Sequence, residues 1–364
     1  MKAYIVETAA VRANLENLKK RAGETPIWAV LKGNGYGLGL LPMAELCRDA
    51  GLSRFAVTEI AEARALRENG FEKEQILMLQ PTANSDEIYQ LMDLNVIFTV
   101  SSQDDASMLN GIAAQRGMVA EAHIKIDTGM GRYGFLPSET DKILPIYGFM
   151  DGIAVSGIYT HFHSAFCNKK QTYLQAAAFR SVVKAISDAG YETGTPHCCN
   201  SAAFLRYPDL AMQGVRLGSA ILGRLSFKGG SYNLKRIGWC EAGVEEIKWI
   251  PKGHTCGYGA GWKARKPTRI AILPVGWYNG FGCEMGRDLF RTRDAARQLL
   301  HGLKGLFFHR AIYIILNGER CRVLGHIGML HTVCDVTDVP CALGDKAVLD
   351  LNPLMLKGMD VVYR

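Results

Sequence analysis

The sequence predicts an α/β protein in which a (β/α)8 TIM-like barrel is followed by a smaller all-β C-terminal domain. In the first part of the chain, short β-prone runs alternate with helical patterns, which is the signature of parallel βαβ units. After about residue 225, β-prone runs are separated by turn signals without regular helices between them, as in small all-β domains. We therefore place the barrel at residues 8–225 and the β-rich domain at residues 226–364. A doubly wound open sheet is the alternative for the first part.

The elements of the barrel follow in order along the chain. The first β-prone run, Ala3–Glu7, precedes a helical segment at Thr8–Lys20 and does not fit the barrel count. We therefore expect residues 1–7 to join the C-terminal domain. Helical patterns such as Leu41–Ala50, Ile60–Asn69 and Thr172–Ala189 separate the later runs. The predicted barrel strands are Ile27–Lys32, Arg54–Thr58, Gln75–Gln80, Ile97–Val100, Glu121–Asp127, Ala154–His161, Pro196–Cys199 and Met212–Gly218.

The composition is that of an ordinary globular protein. The chain has 364 residues, of which 48% are hydrophobic and 21% charged. No apolar run reaches the length of a membrane span, and the N-terminus lacks a signal-peptide core. The 10 cysteines form no C-x-x-C motif, which favours reduced thiols. We therefore predict a cytoplasmic protein without a membrane partner.

The formal net charge of +7 is concentrated in one stretch. Much of the excess lies in Arg287–Arg310, with the sequence RDLFRTRDAARQLLHGLKGLFFHR. Such a stretch can bind nucleic acid or an anionic surface. The many apolar residues within it favour a solvated helix on an insertion instead, so we predict no nucleic-acid partner.

Polar side chains gather where the predicted barrel strands end. In (β/α)8 barrels the chemistry takes place at this rim. Lys32 ends the first strand, Arg132 follows the fifth and His161 ends the sixth. The last two strands lead into Asn200, Ser201, Arg216, Gly218 and Ser219. We therefore expect all of these residues at one end of the barrel.

A lysine that faces an anion site in a barrel predicts pyridoxal 5′-phosphate (PLP) as the cofactor. The loops after the last two strands commonly bind phosphate, and Ser201 with the backbone at Gly218 and Ser219 offers donors to it. Lys32 supplies an amine for the aldehyde. Arg216 is a candidate partner for the ring nitrogen, which it would leave unprotonated because an arginine pKa exceeds about 12. A plain helix N-cap for Ser201 and a structural ion pair for Arg216 are the alternatives.

The ordered set of motifs resembles the alanine racemase family of PLP-dependent enzymes. Lys32 lies in AVLKGNGYGLG, which is similar to the family's cofactor-lysine segment. The motifs HIKIDTGMGRYGF, GIYTHFHSA, HCCNSAA, VRLGSAI, CGYGAGWKARKPTRIAILPVGW and HTVCDVTDVP follow in the family's order. The resemblance extends from about Ile5 to Arg364. It implies an amino-acid racemase with alanine as the expected substrate, and a supply of D-alanine for the bacterial cell wall.

The resemblance also implies a two-base mechanism in a homodimer with shared active sites. Lys32 would hold the cofactor and act as one base, and Tyr258 would reach the site from a partner subunit as the other. Arg132 and the backbone N–H of Met329 would bind the substrate carboxylate. Lys125 matches a lysine that is often carbamylated. The implied cofactor-binding residues besides Lys32 are Tyr36, His161, Asn200, Ser201, Arg216, Gly218, Ser219 and Tyr363, with His161 linking Arg216 to Tyr258.

A few positions depart from the family pattern, and they concern the substrate more than the cofactor. Leu38 stands where the family has a histidine, and Trp277 stands where it has a gate tyrosine. Gly328 and Leu330 change the carboxylate-binding loop. The segment that carries the basic stretch is also longer than is usual in the family. A serine racemase or a broad-specificity amino-acid racemase is therefore an alternative.

The same residues suggest three alternative functions. A metal-dependent barrel hydrolase would use His161, His163 and His197 with a carbamylated Lys125, but no suitably placed aspartate ends the eighth strand. We therefore predict no metal. A PLP-binding module without catalysis would lack the β-rich domain and its tyrosine. A PLP decarboxylase would need an acid in the place of Arg216.

Overall fold

The chain divides into two compact units. The computed structural model describes residues 1–283, 292–307 and 311–364. The first unit is Thr8–Ile237, and the second combines Met1–Glu7 with Gly238–Arg364. The first unit extends beyond residue 225, where the sequence pattern placed the boundary, because the backbone near its end is tied back to it. The side chain of Asn14, for example, exchanges hydrogen bonds of 2.7 and 2.8 Å with the backbone of Lys235.

The first unit contains a closed barrel of parallel strands. After β1 (Lys2–Val6), which belongs to the second unit, the barrel strands are β2 (Ile27–Val30), β3 (Arg54–Val57), β4 (Gln75–Met78), β5 (Phe98–Val100), β6 (Ala120–Lys125), β7 (Ile153–Tyr159), β8 (Thr195–His197), β9 (Cys199–Asn200) and β10 (Val215–Leu217). Strands β8 and β9 are two halves of one strand interrupted at Cys198. Strand β10 pairs with both β9 and β2, and a bridge between Leu77 and Ile97 joins β4 to β5. The predicted barrel is therefore confirmed.

The helices of this unit connect successive strands. They are α1 (Thr8–Ala22), α2 (Lys32–Tyr36), α3 (Leu40–Asp49), α4 (Ile60–Glu68), α5 (Ser85–Asp93), α6 (Gln103–Gln115), α7 (Thr140–Phe149), α8 (Lys169–Asp188) and α9 (Ser201–Arg206), followed by a 3-10 turn at Pro208–Leu210. Several begin at an Asn or Ser side chain that accepts a backbone N–H of the first turn, as Asn84 and Ser102 do. None of the helices in the described ranges is long and apolar enough to cross a membrane.

The barrel strands are short apolar runs because their residues are buried on both faces. All four residues of β2, Ile27–Val30, are buried. Trp28 and Val30 belong to an apolar cluster with Ala56, Leu77 and Ile97 from the next three strands. Polar residues at the ends of these strands are therefore positioned by a tightly packed interior.

The second unit is built from largely antiparallel sheets, in which the N-terminal strand pairs antiparallel with one neighbour and parallel with the other. Its further strands are β11 (Trp239–Gly243), β12 (Glu246–Ile250), β13 (Thr255–Cys256), β14 (Trp262–Lys263), β15 (Thr268–Leu273), β16 (Tyr313–Leu316), β17 (Glu319–Arg322), β18 (Thr332–Asp335), β19 (Lys346–Leu349) and β20 (Asp360–Tyr363). Strand β1 lies between β11 and β20 in a sheet of order β17-β16-β19-β11-β1-β20. A second sheet has the order β12-β15-β18, and β13 with β14 forms a separate hairpin. Short 3-10 turns lie at Tyr258–Ala260, Trp277–Asn279 and Pro353–Met355.

The basic stretch predicted at Arg287–Arg310 contains one described helix, α10 (Thr292–Phe307). Its leucines Leu299, Leu300 and Leu303 are exposed. Residues 287–291 and 308–310 of the stretch lie outside the described residues. The favoured prediction of a helix therefore holds for the part that the structure describes.

Candidate active site

Lys32 lies where strand β2 passes into a turn of left-handed helix. Gly33, Asn34 and Gly35 have φ angles of 64, 54 and 62°, and Tyr36 follows with 58°. A left-handed conformation costs about 1–2 kcal/mol for each residue that carries a Cβ, and the two glycines avoid this cost. The segment GNGYG thus lets the chain reverse directly after Lys32, so that the lysine and Tyr36 line the same cavity.

A cavity of about 570 Å³ lies at this end of the barrel. Four cationic side chains line it, those of Lys32, Lys125, Arg132 and Arg216, and its described lining includes no Asp or Glu. The ten site residues that the sequence placed in this part of the chain all line the same cavity: Lys32, Tyr36, Lys125, Arg132, His161, Asn200, Ser201, Arg216, Gly218 and Ser219. The cavity is therefore suited to an anionic ligand that also reacts with an amine.

Both lysines of the cavity have pKa values below the ordinary range. Burial lowers the pKa of Lys32, the positive charge of Arg132 lowers it further, and Glu62 partly opposes the shift. Burial also lowers the pKa of Lys125 to about 7, with further contributions from Arg132 and Arg216. Desolvation and like charge both disfavour the ammonium form. The cavity therefore shifts both lysines toward the neutral amine, which is the nucleophilic and basic form.

Two carboxylates that the sequence reasoning did not assign hold the loops around the cavity. Glu62 accepts hydrogen bonds from the backbone amides of Asn34 at 2.9 Å and Thr58 at 3.1 Å, and so ties α4 to the lysine turn. Asp127 accepts from the amides of four successive residues, 129 to 132, at 2.7–3.2 Å. These bonds lower the pKa of Asp127 against the effect of burial. The DTGMGR motif was a usable signal, because an Asp before a glycine-rich turn commonly binds the turn's amides.

Arg216 is held by neutral acceptors deep in the cavity. Its side chain is only 4% exposed. One guanidinium nitrogen donates to His197 Nδ1 at 2.7 Å and to the carbonyl of His197 at 2.9 Å, and the other donates to the carbonyl of Thr160. The sequence predicts that His161 links Arg216 to Tyr258. Among the described residues, the imidazole that is hydrogen-bonded to Arg216 is that of His197. His161 Nε2 lies 3.4 Å from Asn200 Nδ2.

The same contacts bear on the alternative of a metal-dependent hydrolase. That alternative needs His197 as a ligand, but Nδ1 of His197 faces Arg216 and Nε2 lies 3.0 Å from His123 Nδ1. Both ring nitrogens are therefore engaged within the barrel. In the parts of the chain that the structure describes, no group of three or more metal-ligating side chains is found.

Ser201 joins the last two strands rather than capping a helix. Asn200 is the N-cap of α9, where its side chain accepts the amide of Ala203 at 3.0 Å. The hydroxyl oxygen of Ser201 accepts the amides of Gly218 at 3.1 Å and Ala220 at 3.2 Å. Because these bonds use the oxygen as an acceptor, the hydroxyl proton is left for an acceptor in the cavity. The N-cap alternative for Ser201 is therefore wrong.

Gly218 lies against Tyr36 at a distance that admits no side chain. A Cβ atom at Gly218 would be 2.2 Å from the Tyr36 hydroxyl oxygen. Burial raises the pKa of Tyr36 to about 12, so its phenol remains a donor at neutral pH. The phenol and the start of α9 thus converge at the end of β10.

The remaining predicted site residues belong to the second unit. Tyr258 begins the 3-10 turn between β13 and β14 and is 75% exposed. Met329 lies in a loop where its carbonyl accepts the amide of Tyr278 at 3.0 Å. Tyr363 ends β20 and pairs with Val6 of β1. Within their own unit, these residues are placed on separate turns and strands.

Two of the positions that depart from the family pattern differ in their surroundings. Leu38, in the first unit, is completely buried. Trp277, in the second unit, is half exposed on a 3-10 turn, and its amide donates to the carbonyl of Gly328 at 3.0 Å. Leu38 therefore replaces a polar family residue inside the barrel unit, whereas Trp277 changes an exposed surface.

Sequence comparisons point to a single family. Residues 6–226 match the model of the alanine racemase N-terminal domain, and residues 239–353 match that of the C-terminal domain. A curated alanine racemase from Methylacidiphilum infernorum is 33% identical over 350 residues, which are 94% of this chain and 82% of that protein. One from Desulforamulus reducens is 32% identical over 338 residues, with coverage of 91% and 84%.

Comparisons with solved structures give the same result. Alanine racemase from Clostridium difficile 630 superposes with a TM-score of 0.85 at 25% identity, over 100% of this chain and 95% of that one. Alanine racemase from Streptomyces lavendulae has the same fold, with a TM-score of 0.84 at 23% identity and coverage of 100% and 97%. The resemblance seen in the motifs is confirmed, and the chain belongs to the alanine racemase family.

Proposed function

We propose that the chain binds PLP in the barrel cavity and interconverts L-alanine and D-alanine. The observation that carries this proposal is the convergence of Lys32, whose pKa is lowered, with a second lysine and two arginines in a cavity whose described lining has no carboxylate. An aldehyde that carries a phosphate group satisfies both features. The curated relatives described above are named alanine racemases.

The donors of the cavity fit PLP by their chemistry. Lys32 offers an amine to the aldehyde. Tyr36, the hydroxyl of Ser201 and the backbone amide of Ser219 offer donors to the phosphate. Gly218 lies beside them, and its amide orients the Ser201 hydroxyl. When bound, PLP supplies an electron sink that acidifies the α-hydrogen of an attached amino acid. His161, Asn200 and Tyr363 are the other residues that we propose to contact the cofactor.

Two opposed bases exchange the proton at the substrate Cα. Lys32, whose pKa is lowered by its surroundings, takes or returns the proton on one face. Tyr258 does the same on the other face, so that neither group has to move around the carbon. We propose that this tyrosine comes from the partner in a homodimer. Its exposure on a turn leaves it available to another subunit.

Three further groups position the substrate and tune the reaction. Arg132 and the amide of Met329 bind the substrate carboxylate, since a guanidinium pairs with a carboxylate in a bidentate geometry. Arg216 would face the cofactor ring nitrogen and retain its own proton, so the ring nitrogen would stay unprotonated and side reactions would be suppressed. We also propose that Lys125 reacts with carbon dioxide, because a pKa of about 7 leaves much of its amine neutral. The resulting carbamate anion would be stabilised by Arg132.

Spectroscopy and chiral analysis test the proposal together. The purified chain is mixed with PLP, and its visible absorption is compared with that of Lys32→Ala. A panel of L- and D-amino acids that includes alanine and serine is then analysed by chiral chromatography. We expect a lysine-dependent visible band and racemisation of alanine above all other substrates. A band that persists in Lys32→Ala contradicts the cofactor site, and a greater rate with serine contradicts the substrate.

A further inference from the structure

We propose that His123 is a positioning residue that accepts a hydrogen bond from His197 and thereby holds the ring of His197 against Arg216 in the cavity. The three side chains come from β6, β8 and β10 and form one hydrogen-bonded series inside the barrel. Their exposed fractions are 1% for His123, 0% for His197 and 4% for Arg216. The effect on catalysis rests on the proposed function, whereas the hydrogen-bond arrangement does not.

The direction of the series follows from the arginine. A guanidinium only donates hydrogen bonds, so His197 Nδ1, at 2.7 Å from Arg216, carries a lone pair. The single proton of a neutral His197 is then on Nε2. This N–H donates to His123 Nδ1 at 3.0 Å. His123 in turn must carry its own proton on Nε2, because its Nδ1 accepts.

Aromatic rings hold the two imidazoles in this orientation. Trp28 stacks on one side of His197 with ring centroids 5.9 Å apart, and Tyr159 stacks on His197 at 5.0 Å. The edge of Trp28 also meets His123 at 5.4 Å. A side chain that packs against other rings cannot easily rotate toward another hydrogen-bond partner. The lone pair of His123 Nδ1 therefore points toward Nε2 of His197.

Loss of that lone pair leaves a buried donor without a partner. Without an acceptor at His123, the Nε2–H group of His197 is buried and unpaired, which is unfavourable. The tautomer of His197 does not change, because a proton on Nδ1 would face the N–H of Arg216 and remove a charge-assisted hydrogen bond. The ring of His197 instead loses the contact that holds its orientation. Arg216 retains the carbonyls of His197 and Thr160, but its hydrogen bond to His197 Nδ1 is weakened.

Nuclear magnetic resonance tests the arrangement without reference to activity. The full-length chain loaded with PLP is labelled with 15N-histidine, and long-range proton–nitrogen correlations identify the tautomer of each ring. We expect both His123 and His197 as Nε2–H tautomers at neutral pH. A proton on Nδ1 of either ring, or a charged ring at either position, overturns the proposal.

Two substitutions test the consequence for the site. His123→Asn keeps an acceptor near the position of Nδ1, and His123→Leu removes it. We expect His123→Leu to leave His197 as the Nε2–H tautomer but to shift the resonances of this N–H group, since its hydrogen bond is lost, and to lower kcat for alanine about tenfold with little change in KM. We expect His123→Asn to preserve the His197 signal and most of kcat. His254→Leu, at an exposed histidine of the second unit, is the matched control and should change neither.

The outcomes separate the inference from the proposed function. Unchanged resonances of the His197 Nε2–H group in His123→Leu overturn the inference, as does an equal loss of kcat in the folded Asn and Leu variants. If the parent chain does not racemise alanine, the proposed function fails while the tautomer measurement still decides the role of His123. If His123→Leu does not fold, the spectrum of the parent chain and the kcat of His123→Asn decide the role of His123.

Discussion

The two units contribute to the proposed site in opposite ways. In the first unit Arg216 is 4% exposed and bound by three acceptors, and Lys32 lies at the start of a constrained turn. In the second unit Tyr258 is 75% exposed on a short turn. The cofactor site is thus built into the interior of the barrel, where packing fixes its groups. The proposed second base, Tyr258, would be surrounded by the residues that cover its turn. We propose that these residues belong to a second subunit.

Substitution of the two bases should give the largest effects and separate the units. Lys32→Ala removes the amine, so both the visible PLP band and alanine racemisation should be lost. Tyr258→Phe removes only a hydroxyl from an exposed turn, so the band should persist while racemisation falls at least about a thousandfold. Absorption spectra and chiral assays on the same samples measure both quantities. Loss of the band in Tyr258→Phe contradicts the proposal that Lys32 holds the aldehyde without a contribution from Tyr258.

The burial of Lys125 in the barrel should make the free energy of unfolding depend on pH. The folded chain releases the proton of Lys125 at about pH 7, whereas the unfolded chain keeps it up to its ordinary pKa of 10.5. Between these values the unfolded state binds more protons, so the free energy of unfolding should rise with pH. Relative to Lys125→Met, the parent should gain about 3 kcal/mol across this window. Urea unfolding of the PLP-free chain in buffer free of carbon dioxide measures the difference.

Parallel pH profiles of the two chains would contradict this account of Lys125. Such a result would mean that the lysine titrates equally in the folded and the unfolded chain. The lysine would then be solvated in the folded state and not enclosed among Arg132 and Arg216.

Disruption of the close contact between Gly218 and Tyr36 should have a smaller effect, which is confined to PLP binding. In Gly218→Ala the added Cβ meets the Tyr36 hydroxyl, and overpacking of this kind costs about 1–3 kcal/mol. We expect PLP affinity to fall by about tenfold to a hundredfold. Gly111→Ala, in helix α6 with no atom within 4 Å of its added Cβ, is the matched control. Equal PLP affinity of the two variants, measured by absorption titration, would argue against a phosphate site at this contact.

The smallest expected effect concerns the substrate and belongs to the second unit. Trp277→Tyr restores the residue type that is usual in the family at a half-exposed position. We expect the ratio of kcat/KM for alanine to that for serine to change by less than about tenfold, as is usual for a small change in an apolar contact. PLP affinity should not change. A fall in PLP affinity would show that the second unit contributes more to the cofactor site than we propose.

The sequence predicted the barrel well because its signals are local. Apolar runs such as Ile27–Val30 and the helices between them have periodicities that neighbouring residues determine. The site residues of the first unit were predictable for a related reason. Once the strand count is known, every residue at the end of a parallel strand is assigned to the same rim.

The contacts within the site could not be predicted in the same way. His197 rather than His161 binds Arg216, because the strand of His197 pairs beside Arg216 in the closed barrel and its ring points inward. Strand-end position does not reveal which ring faces which guanidinium. Glu62 was also missed, since its partners are backbone amides of turns whose φ angles the sequence does not specify. Asp127 differs, because the DTGMGR motif could have indicated its role. The exposed turn of Tyr258 was assigned only through the family motif.

Mixing two inactive variants tests most directly the claim that the site is divided between subunits. Lys32→Ala retains the tyrosine, and Tyr258→Phe retains the lysine. In a mixed dimer one of the two sites would receive both intact groups, so random exchange of subunits should restore about a quarter of the parent activity. Alanine racemisation is measured before and after the two purified variants are dissociated and reassociated together. Recovery of that order is the predicted result, and a mixture no more active than its separate components would contradict the account.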